Sequence, residues 1–332
     1  MRLFFPKYSN HFFIYMMTVI TVCVFSNSVM AQSAKADHTT VDVESFTQAE
    51  LDAARALRIT TNHASVGRNL SEGITALGET NESKYATPNW NFNYVGNGPT
   101  EITYRDRWLW KLNSFKERVA AEIDNYDVFG VKFCWVDSWD IDFEIYRDAM
   151  LELESTYPDK VFIWWTNPLW ARELLGNDFR AAYNALVRDY CEKNDKPLYD
   201  VADISSHDPE GNMEIIEGYE AFYEGYTYSA ADNGHFNAAG SERLAKGFWN
   251  LMVQIASKSI TDINANVVSF EKAIIGISIY TVNGEYLRDV PVEQNQTLWN
   301  TISKNGNLES GIYIAKMTTH KETLAIKFLV SN

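Results

Sequence analysis

The sequence predicts a three-layer α/β/α domain around a parallel sheet, followed by a small antiparallel β domain. Between residues 55 and 255, apolar runs of strand length alternate with longer segments whose apolar residues recur at helical spacing. The short runs are apolar on both faces, as in a sheet that helices cover on both sides. After residue 258 the segments become short and rich in β-branched residues, and the helical spacing stops. The first pattern predicts the α/β domain and the second predicts the β domain.

Each predicted element corresponds to one stretch of sequence. The strands of the parallel sheet are LRITTN, YDVFGVKFCWV, KVFIWWT and PLYDVADI. The helices are SVGRNLSEGITALG, WLWKLNSFKERVAAEID, FEIYRDAMLELESTY, NDFRAAYNALVRDYCEKN and NAAGSERLAKGFWNLMVQIASK. A polar linker near Ser257–Asn266 leads to the β domain. There, KAIIGISIYTVNGEYLRDVP forms two strands across Asn283-Gly284, a dipeptide typical of hairpin turns, and SGIYIAKMTT and ETLAIKFLVS form two more.

The first 31 residues have the pattern of a secretory signal peptide. Arg2 and Lys7 precede the apolar run FFIYMMTVITVCVF, and small residues lead to Ala31. The run is short for a membrane span, so we expect cleavage after Ala31 and a protein that is secreted or at the cell surface, with no stable membrane span. The predicted divisions are the signal peptide at 1–31, an N-terminal extension at 32–54, the α/β domain at 55–257 and the β domain at 258–332.

Charge and cysteine content exclude several classes of protein. Cleavage would remove two basic residues and no acidic one, taking the net charge from -15 to -17. Such an acidic surface argues against nucleic acid as a partner. Only Cys134 and Cys191 would remain, so the chain is not a disulfide scaffold or a cysteine-rich metal site. One bridge is an alternative, but two buried free thiols are expected.

The stretch TNHASVGRNL places Ser65 where a predicted strand ends and a helix begins. Sites in open parallel sheets form at the carboxyl ends of strands, and a helix N-terminus offers free N–H groups to a negatively charged oxygen. Ser65 is therefore a candidate nucleophile. Serine is also a common helix N-cap, and position alone favours that interpretation.

A second stretch, SAADNGHFNAAG, supplies what a nucleophilic serine requires. Asp232 precedes His235 by three residues, in a loop just before the last predicted helix. A serine nucleophile needs a base to accept its proton, and the base needs a carboxylate to hold its tautomer. The alternative is a histidine bonded to nearby backbone, after an ordinary Asp-Asn-Gly turn.

These blocks, in this order, resemble the SGNH (GDSL-type) hydrolase superfamily, whose fold is flavodoxin-like. Within it, the chain is similar to a subgroup whose first block reads H-x-S-V-G-x-N. Further matching segments are VKFCWVD (131–137), TNPLW (166–170) and the R-x-x-x-N-x-x-x-R of Arg180, Asn184 and Arg188. The resemblance spans residues 55–255.

The resemblance implies that Ser65 is the nucleophile, His235 the general base and Asp232 the residue that orients it. The Ser65 N–H and the NYVGNGP loop, through Gly96 or Gly98 and through Asn97, would form the oxyanion hole; an ordinary glycine-rich turn is the alternative for this loop. The superfamily's third block supplies an Asn donor, but here the strand ends FCWVDSWD. Losing one such donor typically costs ~100- to 1000-fold in rate.

Several further residues are candidates with a commoner structural alternative. Asn69, Asn97 or Asn167 are candidates for the missing donor, and Asn69 and Asn167 for substrate binding. His63 faces the same way as Ser65 on an extended chain and is a candidate substrate contact, although packing is the commoner role.

Two charged features complete the candidates. Asp137 and Asp140 form a possible glycosidase-type carboxylate pair, although solvated loop residues are commoner. Lys132 lies within an apolar strand and requires a partner if buried, for which Asp127 and Asp137 are the candidates.

Trp139 and Trp170 follow strand ends, where flat aromatic faces suit sugar rings. The C-terminal residues ISIYTVNGEYL, LESGIYIAKM and IKFLVSN resemble the type A sorting domain of type IX secretion. That resemblance implies the secretion machinery as a partner; the alternative is a small β-sandwich that binds carbohydrate or packs on the enzyme.

The sequence thus predicts a secreted serine esterase that cleaves an acyl group, such as acetyl, from a small-molecule or glycan ester, with no metal or organic cofactor. A non-catalytic glycan-binding protein on the same fold is the alternative, and a glycosidase is the weakest hypothesis.

Overall fold

The computed structural model describes residues 34–96, 98–171, 177–229, 232–267, 274–281, 284–291, 308, 311–319 and 323–330. Its helices are α1 Gln48–Ala56, α2 Val66–Thr80, α3 Glu82–Tyr85, α4 Arg107–Glu122, α5 Phe143–Thr156, α6 Asn177–Lys193, α7 Val201–Ser206 and α8 Ala238–Val267. Its strands are β1 Lys35–Ala36, β2 Ile59–His63, β3 Trp90–Tyr94, β4 Val128–Val131, β5 Val161–Trp165, β6 Leu198–Tyr199, β7 Ile215–Ile216, β8 Tyr219–Glu220, β9 Thr227–Ser229, β10 Asp232–Phe236, β11 Ile274–Thr281, β12 Tyr286–Val290, β13 Gly311–Thr319 and β14 Thr323–Val330.

A six-stranded parallel sheet in the order β1-β6-β5-β4-β2-β3 forms the middle layer. Helices α1, α2 and α8 enclose one hydrophobic core, and helices α4, α5 and α6 enclose the other. Successive residues of β5 alternate between these cores, with Phe162 and Trp164 in one and Ile163 and Trp165 in the other. The predicted three-layer α/β/α architecture is confirmed.

The sheet has two edge strands that the sequence did not predict. Strand β3 alternates aromatic residues with Asn and is only partly buried, so it lacks the continuous apolar run of a central strand. Strand β1 is two residues long and pairs with β6. The segment assigned to an N-terminal extension, 32–54, therefore supplies a strand of the main sheet and most of α1.

Two predicted strands are shorter than expected. In PLYDVADI only Leu198–Tyr199 is a strand, because the Asp200 side chain accepts a hydrogen bond from Asp203 N–H at 3.1 Å and caps helix α7. In YDVFGVKFCWV the strand ends at Val131, and Trp135–Trp139 forms a 3-10 helix. Both changes occur at the carboxyl ends of strands, where the candidate site was expected.

The predicted linker near Ser257–Asn266 is helical, because α8 continues without interruption to Val267. No Gly or Pro occurs between Phe248 and Val267 to end the helix. Cys134 and Cys191 are both buried and free, as predicted. No helix among the described residues has the length and apolar character needed to span a bilayer. Residues 1–31 lie outside the described residues, so the signal peptide stays a prediction.

The predicted antiparallel β domain is confirmed as a four-stranded sheet in the order β12-β11-β13-β14. In the β11–β12 turn, Gly284 N–H donates to the Thr281 carbonyl oxygen at 2.9 Å. Asn283, the other predicted turn residue, lies outside the described residues. Strand β13 lies against α1, and β14 lies against α8.

The packing of α2 on α8 predicts that Gly73→Ala destabilises the protein. A methyl group on Gly73 would lie 2.0 Å from the Ser241 carbonyl oxygen, so the backbone of one helix would have to move. We expect the free energy of unfolding to fall by about 1–3 kcal/mol, measured by urea denaturation.

Gly78→Ala is the matched control, because Gly78 lies on the same helix but its nearest neighbour would be 3.4 Å from the methyl group. Higher helix propensity should then raise the free energy of unfolding by roughly 0.5–1 kcal/mol. Equal effects of the two substitutions would contradict the close contact.

Candidate active site

Ser65 occupies the turn between β2 and α2 in an unusual backbone conformation. Its φ of 53° and ψ of -113° lie in a region that residues with a side chain rarely adopt, and such strain costs about 1–3 kcal/mol. The Ser65 side chain makes no capping hydrogen bond to α2, which removes the N-cap interpretation. Among the described residues, none accepts a hydrogen bond from the Ser65 N–H.

The side chain of Ser65 lies next to that of His235, which is 170 residues later in the sequence. Ser65 Oγ lies 2.5 Å from His235 Nε2, within hydrogen-bonding distance. His235 is on β10, directly before α8, and it is half-buried. The predicted pairing of these two residues is thus present in the geometry.

Asp232 lies on the same strand, β10, and its backbone pairs with Ser229 of β9. Its side chain lies outside the part of the structure that is described, so its orienting role stays a prediction. His235 has further contacts beyond the one with Ser65.

Asn69 holds the backbone next to His235. Its Nδ2 donates to the Phe236 carbonyl oxygen at 3.2 Å, and its Oδ1 accepts from Phe236 N–H at 3.2 Å. Both groups of the Asn69 amide are therefore occupied by the chain itself. These bonds favour a structural role for Asn69, and its binding of substrate or of the oxyanion stays a prediction.

His63 packs against the first turn of α2. A methyl group on Gly67 would lie 2.3 Å from His63 Cβ, so only glycine lets the imidazole occupy this position. His63 is 3% exposed, and its Nδ1 is buried without a hydrogen-bond partner among the described residues. Burial, assisted by the charge of Lys132, lowers the pKa of His63 to about 4. The burial favours the packing role over a substrate contact.

Lys132 follows the last residue of β4 and is completely buried. Neither predicted partner pairs with it: Asp127 binds Arg58, and Asp137 binds Lys111. Instead, Lys132 Nζ donates to the Ala64 carbonyl oxygen at 2.6 Å. Burial lowers the pKa of Lys132 to about 8.

Asp137, one of the two carboxylates in the glycosidase hypothesis, is buried and bound within the protein. The Asp137 and Lys111 side chains are both 0% exposed, and their charged atoms lie 2.5 Å apart. Asp137 also accepts a hydrogen bond from Cys134 N–H at 2.6 Å, so it caps the 3-10 helix rather than facing a substrate. Asp140 is partly exposed and lies near Arg105.

The glycine-rich loop after β3 runs beside the Ser65 turn. Val95 N–H donates to the His63 carbonyl oxygen at 2.9 Å, which continues the pairing of β3 with β2. Gly96 and Gly98 have φ values of 64° and 85°, which glycine adopts readily. Asn97 lies outside the described residues, and the oxyanion role of this loop stays a prediction.

An aromatic cluster adjoins the His235 strand. Trp135 lies between Trp139 and Trp170, with ring centroids 6.4 and 4.4 Å away respectively. Trp139 is 41% exposed. A methyl group on Gly234, the neighbour of His235, would lie 2.9 Å from the Trp170 ring, so this strand packs directly on the cluster. The position of Trp135 was missed because it lies inside a run that had been assigned to a strand.

Helix α6 anchors three loops through residues on successive turns. Arg180 Nε donates to the Trp135 carbonyl oxygen at 3.2 Å, and its guanidinium lies 5.0 Å from the centre of the Trp135 ring. Asn184 makes two hydrogen bonds to the backbone of Asn167. Arg188 makes a bidentate ion pair with Asp200, and a second with Glu220.

Both the backbone and the side chain of Asn167 are hydrogen-bonded within the protein. It is 1% exposed, and its Nδ2 donates to Ser138 Oγ at 2.7 Å. These contacts favour a structural role for Asn167, and its binding of substrate or of the oxyanion stays a prediction.

Among the described residues, His38, Asp203 and His207 are the side chains that gather as metal ligands do. His207 Nδ1 lies 2.8 Å from the Asp203 carbonyl oxygen, and His38 Nδ1 lies 2.5 Å from the Asp203 carboxylate. The two imidazole rings stack 3.6 Å apart. These hydrogen bonds occupy both Nδ1 atoms and join the segment after β1 to α7, so we interpret the cluster as structural.

No protein-family model matches the chain, and no curated protein sequence matches it. Among solved structures, it is similar to a candidate lipolytic protein of the G-D-S-L family from Desulfitobacterium hafniense DCB-2, with 10% identity and a TM-score of 0.40 over 58% of this chain and 99% of that one. It is also similar to a candidate platelet activating factor from Streptococcus pneumonia, with 12% identity and a TM-score of 0.36 over 61% of this chain and 91% of that one. Similarity at this level assigns neither a family nor an activity, so the function rests on the site itself.

Asn69→Ala should destabilise the protein by releasing the backbone beside His235. The substitution leaves two buried backbone groups of Phe236 without their partners, which costs about 1–3 kcal/mol in the free energy of unfolding. Chemical denaturation measures this loss. Thr75→Ala, on the exposed face of the same helix, is the control and should stay within about 0.5 kcal/mol of wild type. An equally small change in Asn69→Ala would contradict the bracing role.

The buried His63 predicts a stability that falls with pH below 6.5. Its pKa is lowered to about 4 in the folded protein and returns to its ordinary value of 6.5 on unfolding. Between these values the unfolded chain binds a proton that the folded chain does not, so acid favours unfolding. The contribution is fully present above pH 6.5, and about 2–3 kcal/mol of it is lost by pH 4.5.

The measurement is the free energy of unfolding of wild type and His63→Gln at pH 7 and pH 4.5. Comparing the two proteins removes the shared contribution of the carboxylates. The wild-type protein should lose more stability on acidification than His63→Gln does. The same pH dependence in both proteins would contradict the buried, uncharged state of His63.

Proposed function

We propose that this chain is a secreted serine ester hydrolase. In this proposal Ser65 is the nucleophile, His235 is the general base and Asp232 is the carboxylate that orients the imidazole. The observation that carries the proposal is the 2.5 Å separation between Ser65 Oγ and His235 Nε2. Two features add support: the half-buried Ser65 has a strained backbone of the kind found at nucleophile turns, and its N–H has no acceptor among the described residues.

The proposed reaction proceeds in two halves. Ser65 Oγ attacks the ester carbonyl carbon while His235 Nε2 accepts the hydroxyl proton, and a tetrahedral intermediate forms. The intermediate collapses by breaking the bond to the alcohol oxygen, which takes the proton from His235. Water then attacks the acyl-serine, again losing its proton to His235, and releases the carboxylic acid and free Ser65. These steps use no metal or organic cofactor.

The negative oxygen of the intermediate needs donors that are already in place. The Ser65 N–H is the proposed first donor, and the Gly96 N–H is the proposed second because its loop adjoins the turn. This oxyanion hole uses backbone groups only, since Asn69 and Asn167 are bound elsewhere.

The proposed substrate is an acylated, such as acetylated, carbohydrate. Trp139 is exposed and belongs to the aromatic cluster that packs on the strand of His235. Flat aromatic faces bind sugar rings, whose axial C–H groups are apolar. A glycan held there would be close to the Ser65–His235 pair.

A non-catalytic glycan-binding protein is the second candidate. The observation that favours it is that two of the predicted oxyanion donors, the side chains of Asn69 and Asn167, are hydrogen-bonded to other groups of the chain. Such a protein would bind glycans through the same aromatic cluster and release them unchanged.

Export and sorting belong to the same proposal. The basic and apolar start of the chain supports cleavage after Ala31, and the sequence of the C-terminal sheet supports a sorting role in type IX secretion. None of the proposed catalytic residues lies on β11–β14. We therefore assign transport to this sheet and catalysis to the α/β domain.

Turnover of p-nitrophenyl acetate tests the proposed activity. Ser65→Ala should lower kcat/KM by at least about 1000-fold, because the nucleophile is lost while the fold is kept. Ser71→Ala is the matched control: Ser71 is on the helix that follows Ser65, and among the described residues its hydroxyl bonds only the Arg68 carbonyl oxygen. It should retain the wild-type rate.

Equal trace rates in wild type and Ser65→Ala, on this ester and on acetylated oligosaccharides, would refute the esterase. Calorimetric binding of oligosaccharides, lost in Trp139→Ala, would then establish the binding protein instead.

A further inference from the structure

Lys132 is a buried cation without a carboxylate partner. It is completely buried at the carboxyl end of β4, and no ion pair forms between Lys132 and any described residue. A buried ammonium group is costly unless hydrogen bonds replace its water. The two carboxylates predicted as partners bind other cations, and the Lys132 ammonium group is hydrogen-bonded elsewhere.

That contact is with the peptide directly before Ser65. Lys132 Nζ donates to the Ala64 carbonyl oxygen at 2.6 Å, and Gly67 N–H donates to the same oxygen at 3.2 Å. The Lys132 backbone is itself fixed, because its N–H donates to the Asn62 carbonyl oxygen at 2.9 Å. The lysine thus joins the end of β4 to the turn that follows β2.

The geometry of a peptide bond gives this contact a consequence at Ser65. No peptide bond among the described residues is cis, and in a planar trans peptide the C=O and the next N–H point in opposite directions. A carbonyl of Ala64 that points inward to Lys132 therefore turns the Ser65 N–H outward. The donor also polarises the peptide, which makes its N–H a better hydrogen-bond donor.

We propose that Lys132 is a positioning residue that locks the Ala64–Ser65 peptide so that the Ser65 N–H faces the oxyanion. This inference rests on the proposed esterase function. Lys132 does not touch the substrate; it acts through the peptide and keeps Ser65 at its strained φ. An apolar residue of the same size would fill the space but leave the Ala64 carbonyl oxygen with only the longer hydrogen bond from Gly67 N–H, at 3.2 Å.

The experiment compares Lys132→Met with wild type by crystallography and steady-state kinetics on p-nitrophenyl acetate. In Lys132→Met, Ser65 should leave its φ of 53° for a relaxed value. The kcat should fall about 10- to 100-fold with KM within about twofold, because only transition-state binding is lost. An unchanged Ser65 φ with unchanged kcat would overturn the proposal.

Phe129→Leu is the control for loss of stability alone. Phe129 is buried on the same strand, β4, and packs against Phe162 away from the turn. It should lower Tm without changing kcat or KM. A fall in kcat equal to that of Lys132→Met would show that any weakening of β4 lowers activity and would overturn the specific role of Lys132.

Lys132→Gln keeps the test decisive if Lys132→Met does not fold, because glutamine retains an N–H donor. If its crystal structure keeps the bond to the Ala64 oxygen, φ and kcat should stay near wild type, and a large fall in kcat would overturn the proposal. If the bond is lost, φ and kcat should both change, and no change in either would overturn it.

Ser65→Ala on the same substrate separates this proposal from the proposed function. If wild-type turnover does not depend on Ser65, the esterase assignment fails. The crystal structures still decide whether Lys132 holds the Ser65 turn, because the φ of Ser65 is read without any reaction.

Discussion

Ser65 is held at a φ of 53°, a conformation that persists only where the surrounding chain imposes it. Lys132 fixes the peptide before it, and Gly67 gives His63 room to pack beneath the turn. Asn69 fixes the backbone that follows His235. The short block H-x-S-V-G-x-N thus contains the serine and three of the residues that fix its surroundings, and Lys132 is supplied from the end of β4. Together these residues place two atoms, Ser65 Oγ and His235 Nε2, through their side chains or, at Gly67, through the lack of one.

On the opposite side of the site, helix α6 likewise fixes the backbone of nearby chain segments. Arg180, Asn184 and Arg188 recur every four residues, so they lie along one face of the helix. They bind the chain segments that follow β4, β5 and β6 respectively. Loops at the carboxyl ends of parallel strands lack the backbone hydrogen bonds between strands that fix the sheet. One helix therefore holds three of them in a fixed relation to one another.

The sequence was informative where periodicity or a chemical requirement was strong. The helices at Arg107–Glu122 and Phe143–Thr156, and the pairing of Ser65 with His235, followed from such patterns. Edge strands and the partner of Lys132 did not. Strand β3 is only partly buried and alternates aromatic residues with Asn, so it lacks a continuous apolar run. A lysine can bind a backbone oxygen, and such a partner has no signature in the sequence. The hydrogen bonds of Asn69 and Asn167 within the protein were missed for the same reason, since they involve backbone groups.

The uninterrupted α8 connects the strand of His235 to the C-terminal sheet with helix as far as Val267. Processing proteases bind their substrates in extended form, and nicking concentrates in exposed loops. If the proposed export ends with removal of the C-terminal sheet, a cut within residues 257–267 first requires the last turns of α8 to unwind. Removal of the sheet would then be limited by fraying of the helix rather than by the peptide sequence at the cleavage point.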